Sequence, residues 1–91
     1  MSNKNNVTIL LYRVAQKKDA EAYAKLYDMY VDRIHRFVYY KIGSKQEAED
    51  ITSEVFLKAW DYITKGNDVK NIKALFYKLA RNLIIDQYRK N

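Results

Sequence analysis

Residues 44–60, SKQEAEDITSEVFLKAW, decide the fold, because they form one helical pattern with two different faces. Ser44 followed by Glu47 matches a capping box: the Ser oxygen accepts from a free backbone N–H and the Glu side chain reaches back to the cap. At the helical period, apolar side chains fall on one side and predict a core-facing stripe. The stripe consists of Ala48, Ile51, Val55, Ala59 and Tyr62, with Phe56, Trp60 and Ile63 beside it.

The opposite side of this helix carries acidic, polar and apolar residues together. They are Asp50, Ser53, Glu54, Leu57 and Asp61, with Glu47 close by; the first five are called the acidic strip below. Periodicity alone favours a solvated helix face. Leu57 points to a second interpretation, a docking surface, because mixed apolar and charged strips are common at protein interfaces.

Length and composition indicate one small domain in a reducing compartment. A chain of 91 residues is long enough for one domain with a modest hydrophobic core and too short for two domains. It has no cysteine, whereas small secreted domains are often stapled by disulfides, so we expect a cytoplasmic protein. The start, MSNKNN, lacks the features of a signal peptide, and no apolar run is long enough to insert into a membrane.

The net charge of +6 is unevenly distributed along the chain. Acidic residues gather within residues 47–61, and basic residues gather from Lys65 onward. A chain with one acidic and one basic surface suits two different partners, and the basic surface suits a polyanion. Ordinary solubilising charge is the alternative interpretation.

Hydrophobic periodicity predicts an all-α fold, a compact bundle of about four helices. The predicted helices cover residues 7–17, 20–42, 44–64 and 71–89, and Asp19 and Asn71 are placed to cap the second and fourth. Gly43 and Gly66 mark helix ends or turns. The predicted core stripe of the second helix is Tyr23, Leu26, Tyr27, Tyr30, Ile34, Phe37, Val38 and Ile42.

The fourth helix combines a core stripe with an outward basic and aromatic surface. Its predicted core residues are Ile72, Phe76, Leu79 and Leu83, with Leu75 less central. Its outward rows are Lys73, Tyr77, Arg81, Ile84 and Tyr88, and Lys78, Asn82, Ile85 and Arg89. Cations neutralise phosphates and aromatic rings stack on unpaired bases, so the mixture predicts binding of single-stranded nucleic acid. The alternative is that some of these tyrosines are half-buried core residues.

The loop over residues 65–71, KGNDVKN, lies just before that surface. It offers backbone N–H groups, two Asn side chains and a flexible Gly. These groups suit a loop that closes over an extruded base. The motif has low specificity, because most polar turns bind nothing.

Three segments in order resemble region 2, the promoter-binding N-terminal domain of the extracytoplasmic-function sigma factors of bacterial RNA polymerase. They are residues 19–27 (DAEAYAKLY) with Tyr30, residues 48–60 (AEDITSEVFLKAW) and residues 79–89 (LARNLIIDQYR). Together they cover most of the chain from Asp19 to Arg89. Their order and spacing make the resemblance more specific than any segment alone.

The resemblance implies a transcription initiation factor domain with two binding surfaces. In the family the third helix docks on the clamp helices of the largest polymerase subunit, which points to Asp50, Ser53, Glu54 and Leu57. The loop before the fourth helix captures a flipped base of the promoter −10 element, which points to Asn67, Asp68, Lys70 and Asn71. The fourth helix holds the unpaired non-template strand, which points to Lys73, Tyr77, Lys78, Arg81 and Asn82, called the basic face below. An anti-sigma factor is a further possible partner.

Three departures from the family pattern affect these expectations. Ser53 stands where the family usually has Gln, so its shorter side chain weakens the docking contact or suits a different clamp surface. Leu75 and Phe76 stand where Trp is frequent, which argues against melting by an indole wedge. The family's helix-turn-helix domain, which reads the −35 element, has no counterpart in the 91 residues. We therefore expect an excised domain or an upstream reader on another chain.

Two other functions remain open from the sequence. One is a protein-interaction module, a decoy or half of a split sigma factor, without its own promoter recognition. The other is a magnesium-dependent all-α nucleotide pyrophosphohydrolase, since Glu47 and Asp50 have the spacing of a metal-binding pair. A second metal-binding pair is lacking, because the only near candidates, Asp28 and Asp32, are four residues apart and not three. His35 is expected to be a surface residue and not a general base. We therefore predict no catalytic residue, no metal and no cofactor.

Overall fold

The computed structural model describes the backbone of residues 3–90 and the side chains from Asn6 onward. Its helices are α1 (Asn3–Lys17), α2 (Ala20–Ile42), α3 (Lys45–Thr64) and α4 (Ile72–Lys90). Residues 3–90 contain no β-strand, so the prediction of an all-α bundle of four helices is confirmed. Helix α1 begins four residues earlier than predicted, because the polar residues 3–6 carry no hydrophobic period that would reveal a helix.

The helix ends follow the capping chemistry in the sequence. The Asp19 carboxylate accepts from the backbone N–H groups of Glu21 and Ala22 at 3.0 and 3.1 Å. Ser44 Oγ accepts from the Glu47 N–H at 3.3 Å. Gly43 ends α2 with φ of 80°, a left-handed conformation that favours glycine. The predicted caps of α2 and α3 are therefore confirmed.

The Glu47 side chain has a different partner from the one that the capping box predicts. Its carboxylate accepts a hydrogen bond from the side-chain amide of Gln87 on α4. The contact joins the first turn of α3 to the last part of α4, forty residues apart in the chain. The Glu47 carboxylate therefore binds a side chain of α4 and not the backbone N–H of Ser44 that the capping box predicts.

Aromatic rings connect three helices at the centre of the bundle. Phe76 of α4 is fully buried, and its ring centroid lies 4.5 Å from that of Phe56 on α3 and 5.5 Å from that of Tyr30 on α2. Tyr27 adds a T-shaped contact to Phe56 at 4.8 Å. Such pairs contribute about 0.5–1.5 kcal/mol beyond the area they bury. Helix α1 packs against both α2 and α3 and closes the core with Leu10, Leu11 and Val14.

Two tyrosines predicted in the core stripes lie at the surface instead. Tyr27 is 41% exposed and Tyr62 is 42% exposed. Each sits at the edge of its helix stripe, where an amphipathic ring keeps its hydroxyl in water. The core instead includes Thr52, whose hydroxyl donates to the Ala48 carbonyl at 2.7 Å and so satisfies its polar group. None of the helices described is both long and apolar enough to cross a bilayer.

Candidate functional site

The acidic strip is solvent-exposed along α3, as the sequence predicts. Leu57 is 70% exposed, and the other four residues of the strip are exposed as well. Two lysines of the same helix surface accompany the acids: Lys58 Nζ lies 3.7 Å from a Glu54 oxygen, and Lys65 Nζ lies 2.8 Å from an Asp61 oxygen. Exposed pairs of this kind contribute at most about 1 kcal/mol. The carboxylates can therefore exchange these partners for a cation of another molecule at little cost.

A half-buried tyrosine of α2, Tyr23, contacts α3 on the side opposite the strip. The Tyr23 hydroxyl donates to the Phe56 carbonyl, and its ring makes a T-shaped contact with Trp60 at 5.2 Å. Burial raises the pKa of Tyr23 well above its ordinary value, because the phenolate would lose its hydration. The hydroxyl consequently stays protonated and keeps donating to α3 throughout the physiological range.

Helix α4 is rotated about its own axis relative to the predicted orientation, so a different row of residues is buried. The buried row is Ile72, Phe76, Ala80 and Ile84, whereas Leu75, Leu79 and Leu83 are only half-buried. The prediction that Ile84 is exposed was therefore wrong: the side chain is 5% exposed. Ala80 is fully buried, so the buried stripe follows the four-residue row through Ala80 and not the leucines.

The cations of the basic face are exposed even though α4 is rotated from its predicted orientation. Lys73, Lys78, Arg81 and Asn82 are all exposed. Tyr77 is half-buried, with its ring centroid 5.2 Å from that of Phe37 in a T-shaped contact. Farther along the helix, Ile85 is 47% exposed and Tyr88 is 56% exposed, with the Tyr88 hydroxyl donating to the Lys41 carbonyl. The face thus keeps its positive charge, but Tyr77 is only partly accessible, whereas the sequence predicted an exposed ring.

The α3–α4 loop is held by its own asparagines. Asn67 Nδ2 donates to the Tyr62 carbonyl at 2.9 Å, and Asn71 Oδ1 accepts from the Ala74 N–H at 3.0 Å, which confirms Asn71 as the cap of α4. Gly66 has φ of 97°, which side chains rarely adopt. Asp68 and Lys70 are exposed. The loop is therefore internally organised, with part of the amide chemistry of both asparagines engaged within the chain.

An open groove of about 740 Å³ separates this loop from α1 and the middle of α2. The loop residues Asn67, Asp68, Lys70 and Asn71 line one side, and Lys73 of α4 joins them. Sequence reasoning missed the other walls, among them Tyr12 of α1 and Arg33 of α2. Neither belongs to a recognisable motif, and only the packing of α1 beside the loop brings them together.

The sequence-predicted residues form two adjoining sets, joined where Lys65 at the start of the loop pairs with Asp61 of the acidic strip. The acidic strip lies on α3, whereas the loop and the basic face are contiguous through Lys73. His35, expected at the surface, is half-buried and stacks on Tyr39 with ring centroids 6.2 Å apart. Within the described part of the chain, no three His, Cys, Asp or Glu side chains cluster as metal ligands would.

Comparison with known proteins identifies the family. The family model described as sigma-70 region 2 matches residues 26–91. The ECF RNA polymerase sigma factor BldN of Streptomyces coelicolor is 41% identical over 76 residues, which are 82% of this chain and 29% of the relative. The ECF RNA polymerase sigma factor SigW of Bacillus subtilis is 36% identical over 75 residues, 82% of this chain and 40% of the relative. SigM of the same species is 33% identical over 67 residues, 74% of this chain and 40% of the relative.

The chain spans less than half the length of these three relatives. No solved structure matches it significantly. The family model nevertheless covers all of α3, the α3–α4 loop and α4 up to its end. The chain therefore belongs to the sigma-70 region 2 family, as a region 2 domain of the extracytoplasmic-function type.

Proposed function

We propose that this chain is a transcription initiation domain that docks on RNA polymerase through α3 and captures melted promoter DNA on α4 and the preceding loop. The observation that carries the proposal is that α3 and α4 each expose a surface, and that the two surfaces are opposite in character. The acidic strip surrounds Leu57 on α3, and the cations of the basic face stand beside an open groove on α4.

Docking relies on an exposed apolar residue flanked by carboxylates. Leu57 is 70% exposed and sits one turn from Ser53 and Glu54, so it supplies an anchor that a partner helix can bury. Asp50 and Glu54 are four residues apart and share one side of α3. Carboxylates placed in this way accept hydrogen bonds from Arg and Lys of the partner and accelerate encounter. The partner that we propose is the pair of clamp helices in the largest polymerase subunit.

Binding of core RNA polymerase to the immobilised 91-residue chain tests the docking assignment. The paired substitution Asp50→Ala with Glu54→Ala is expected to lower affinity at least tenfold. A matched control is Asp28→Ala with Asp32→Ala, which removes two exposed carboxylates at the same spacing from α2. Equal affinity of both double variants for the polymerase would refute docking through the acidic strip.

Capture of DNA relies on charge and on a site for an unpaired base. Extruding a base from the duplex costs a few kcal/mol, and stacking on a protein surface contributes about 1–3 kcal/mol per base. Lys73, Lys78 and Arg81 neutralise phosphates along the unpaired non-template strand, and the loop with Asn67 and Asp68 closes over one base. The balance is favourable only where the base fits, so the −10 sequence is read by capture and no covalent step is involved.

Selection from a short randomised single-stranded DNA pool tests the capture assignment without knowledge of the promoter. We expect the wild-type chain to enrich a preferred sequence, to bind it in preference to the same sequence as a duplex, and to lose affinity as salt rises. A chain that binds no single-stranded DNA at low salt, or that binds duplex equally well, would contradict the proposal.

A second candidate function is an interaction module that binds polymerase without reading DNA. The half-buried ring of Tyr77 and the internal hydrogen bonds of Asn67 and Asn71 favour it, because they reduce the groups free to contact bases. Such a module would bind core polymerase with wild-type dependence on Asp50 and Glu54 and enrich nothing from the DNA pool. The two assays together therefore separate the candidates.

A further inference from the structure

The groove beside the α3–α4 loop has a second wall that is built by α1 and α2. We propose that this wall completes a binding site for one unpaired nucleotide, with Tyr12 stacking on the base and Arg33 neutralising its phosphate. The inference rests on the proposed function, since it concerns the same single-stranded DNA. It adds α1, a helix to which the sequence assigns no role, as a determinant of which base is accepted.

Tyr12 has the position and the exposure that stacking requires. Its side chain is 63% exposed and lines the groove, while its neighbours Leu10 and Leu11 are 8% and 9% exposed and Val14 is fully buried. These three residues fix α1 against the core, so Tyr12 is presented from a rigid helix. A phenol ring on a rigid helix loses little conformational entropy when a base stacks on it, because only two side-chain torsions need to be ordered.

Gln16 follows Tyr12 by one helical turn and lines the same groove. Residues four apart on a helix are neighbours on one face, so Gln16 and Tyr12 line the groove from the same face of α1. A primary amide offers both donors and an acceptor, which match the edge of an unpaired base. Stacking from Tyr12 together with hydrogen bonding from Gln16 is the combination that reads a splayed-out base.

The charges around the groove favour a nucleotide over a neutral or cationic ligand. Among the residues that line it, Arg33, Lys70 and Lys73 are cationic and Asp68 is anionic. The Arg33 guanidinium lies 5.9 Å from the ring centroid of Tyr30, a cation–π contact that steadies it on α2. Because the guanidinium fork matches phosphate geometry, Arg33 suits the phosphate of the bound nucleotide.

The groove is continuous with the proposed DNA surface. Lys73 lines the groove and also begins the basic face, which proceeds along α4 to Lys78 and Arg81. A strand held on α4 can therefore place one nucleotide in the groove without leaving the positive surface. This continuity identifies the occupant as a nucleotide of that strand.

The test uses the single-stranded oligonucleotide selected from the randomised pool, with an abasic residue placed at each position in turn. Tyr12→Ala is expected to weaken binding of the intact oligonucleotide by about 5- to 150-fold, the range expected when one base loses its stacking partner. At one position the abasic oligonucleotide is expected to bind Tyr12→Ala and wild type equally, because the base that Tyr12 contacts is already missing. Tyr12→Phe, which keeps the ring, is expected to bind like wild type.

Tyr40→Ala is the matched control, since Tyr40 is 86% exposed and lies outside the groove. The inference is overturned if Tyr12→Ala binds like wild type or like Tyr40→Ala, or if its loss is the same with every abasic oligonucleotide. Lys78→Ala with Arg81→Ala separates the groove wall from the DNA surface as a whole. If that variant weakens binding and Tyr12→Ala does not, the wall assignment fails and the proposed function stands; if wild type binds no oligonucleotide, both fail.

Discussion

Helices α3 and α4 present the two proposed surfaces, but they are attached to the core in different ways. Helix α3 buries seven residues along one face, and its opposite face is polar apart from Leu57. Helix α4 buries four residues. Apolar or aromatic side chains such as Tyr77, Leu79 and Ile85 also occupy positions around most of its circumference. The orientation of α3 follows from its own sequence, whereas that of α4 depends on the helices it meets.

This difference has a consequence for function. Substitutions on the outward side of α3 are expected to remove only the proposed contact with a partner and to leave the bundle intact. Substitutions on α4 affect both packing and ligand contact, because Tyr77 lies half-buried between the core and the basic face. The DNA surface is therefore expected to be more sensitive to loss of stability than the docking surface.

Two adjacent isoleucines of α4 should differ most in their effect on stability. Ile84 is 5% exposed and Ile85 is 47% exposed. Ile84→Ala should lower the free energy of unfolding by about 2–5 kcal/mol, because it leaves a cavity in the core. Ile85→Ala should change it by less than about 1 kcal/mol. Urea denaturation followed by circular dichroism measures both, and equal losses would mean that α4 is not oriented as described.

The next effect concerns the cations of α4. Lys78→Ala with Arg81→Ala should weaken binding to single-stranded DNA and reduce the slope of log affinity against log salt by about 1.4, because each phosphate left without its cation lowers the slope by about 0.7. Lys58→Ala, an exposed lysine of α3, is the control for charge alone. Fluorescence anisotropy at several salt concentrations gives the slope. An unchanged slope in the double variant would remove both side chains from the DNA surface.

A moderate effect is expected from pH through Tyr23. The pKa of Tyr23 is raised in the folded state, so its contribution to stability is fully present below the unfolded pKa of about 10 and is lost as pH rises above it. Between pH 8 and pH 11, ionisation in the unfolded chain alone should cost about 1.4 kcal/mol. The free energy of unfolding of Tyr23→Phe should therefore fall by about 1.4 kcal/mol less than that of wild type over the same pH interval. Denaturation of both proteins at the two pH values provides the comparison, and parallel losses would exclude a buried phenol at this position.

The smallest effects come from the two helix caps. Ser44→Ala at the start of α3 and Asn71→Ala at the start of α4 should each cost about 1 kcal/mol, since each leaves a backbone N–H without its partner. Their functional effects should differ. Asn71 lines the groove, so only its substitution should also weaken DNA binding beyond the loss of stability. Thermal unfolding and anisotropy on both variants test this pair, and identical DNA affinities would exclude Asn71 from the binding site.

The sequence was sufficient for the elements whose chemistry is local. Asp19, Ser44, Gly43 and Asn71 set helix ends through hydrogen bonds within a few residues, and the acidic strip follows from the helical period of α3, with Leu57 as its one apolar member. Ile84 could not be placed, because apolar residues occupy most of the circumference of α4 and only tertiary packing selects the row through Ala80 and Ile84. The partner of Glu47 could not be predicted from the sequence either, because Gln87 lies forty residues away in the chain.

The candidate site divides in the same way. The loop and the cations of α4 are adjacent in sequence and were predicted as one surface. Tyr12 of α1 and Arg33 of α2 line the groove only because their helices pack beside the loop, and no spacing in the sequence encodes that packing. The walls of a site that come from distant helices are a product of tertiary packing.

We propose that α3 and α4 carry two independent binding activities. The most direct measurement is the affinity of core RNA polymerase and of the selected single-stranded oligonucleotide for two variants, Asp50→Ala with Glu54→Ala and Lys78→Ala with Arg81→Ala. We predict that the first variant loses polymerase affinity and keeps DNA affinity, and that the second loses DNA affinity and keeps polymerase affinity. Loss of both affinities in either variant, with the fold intact by circular dichroism, would contradict the account.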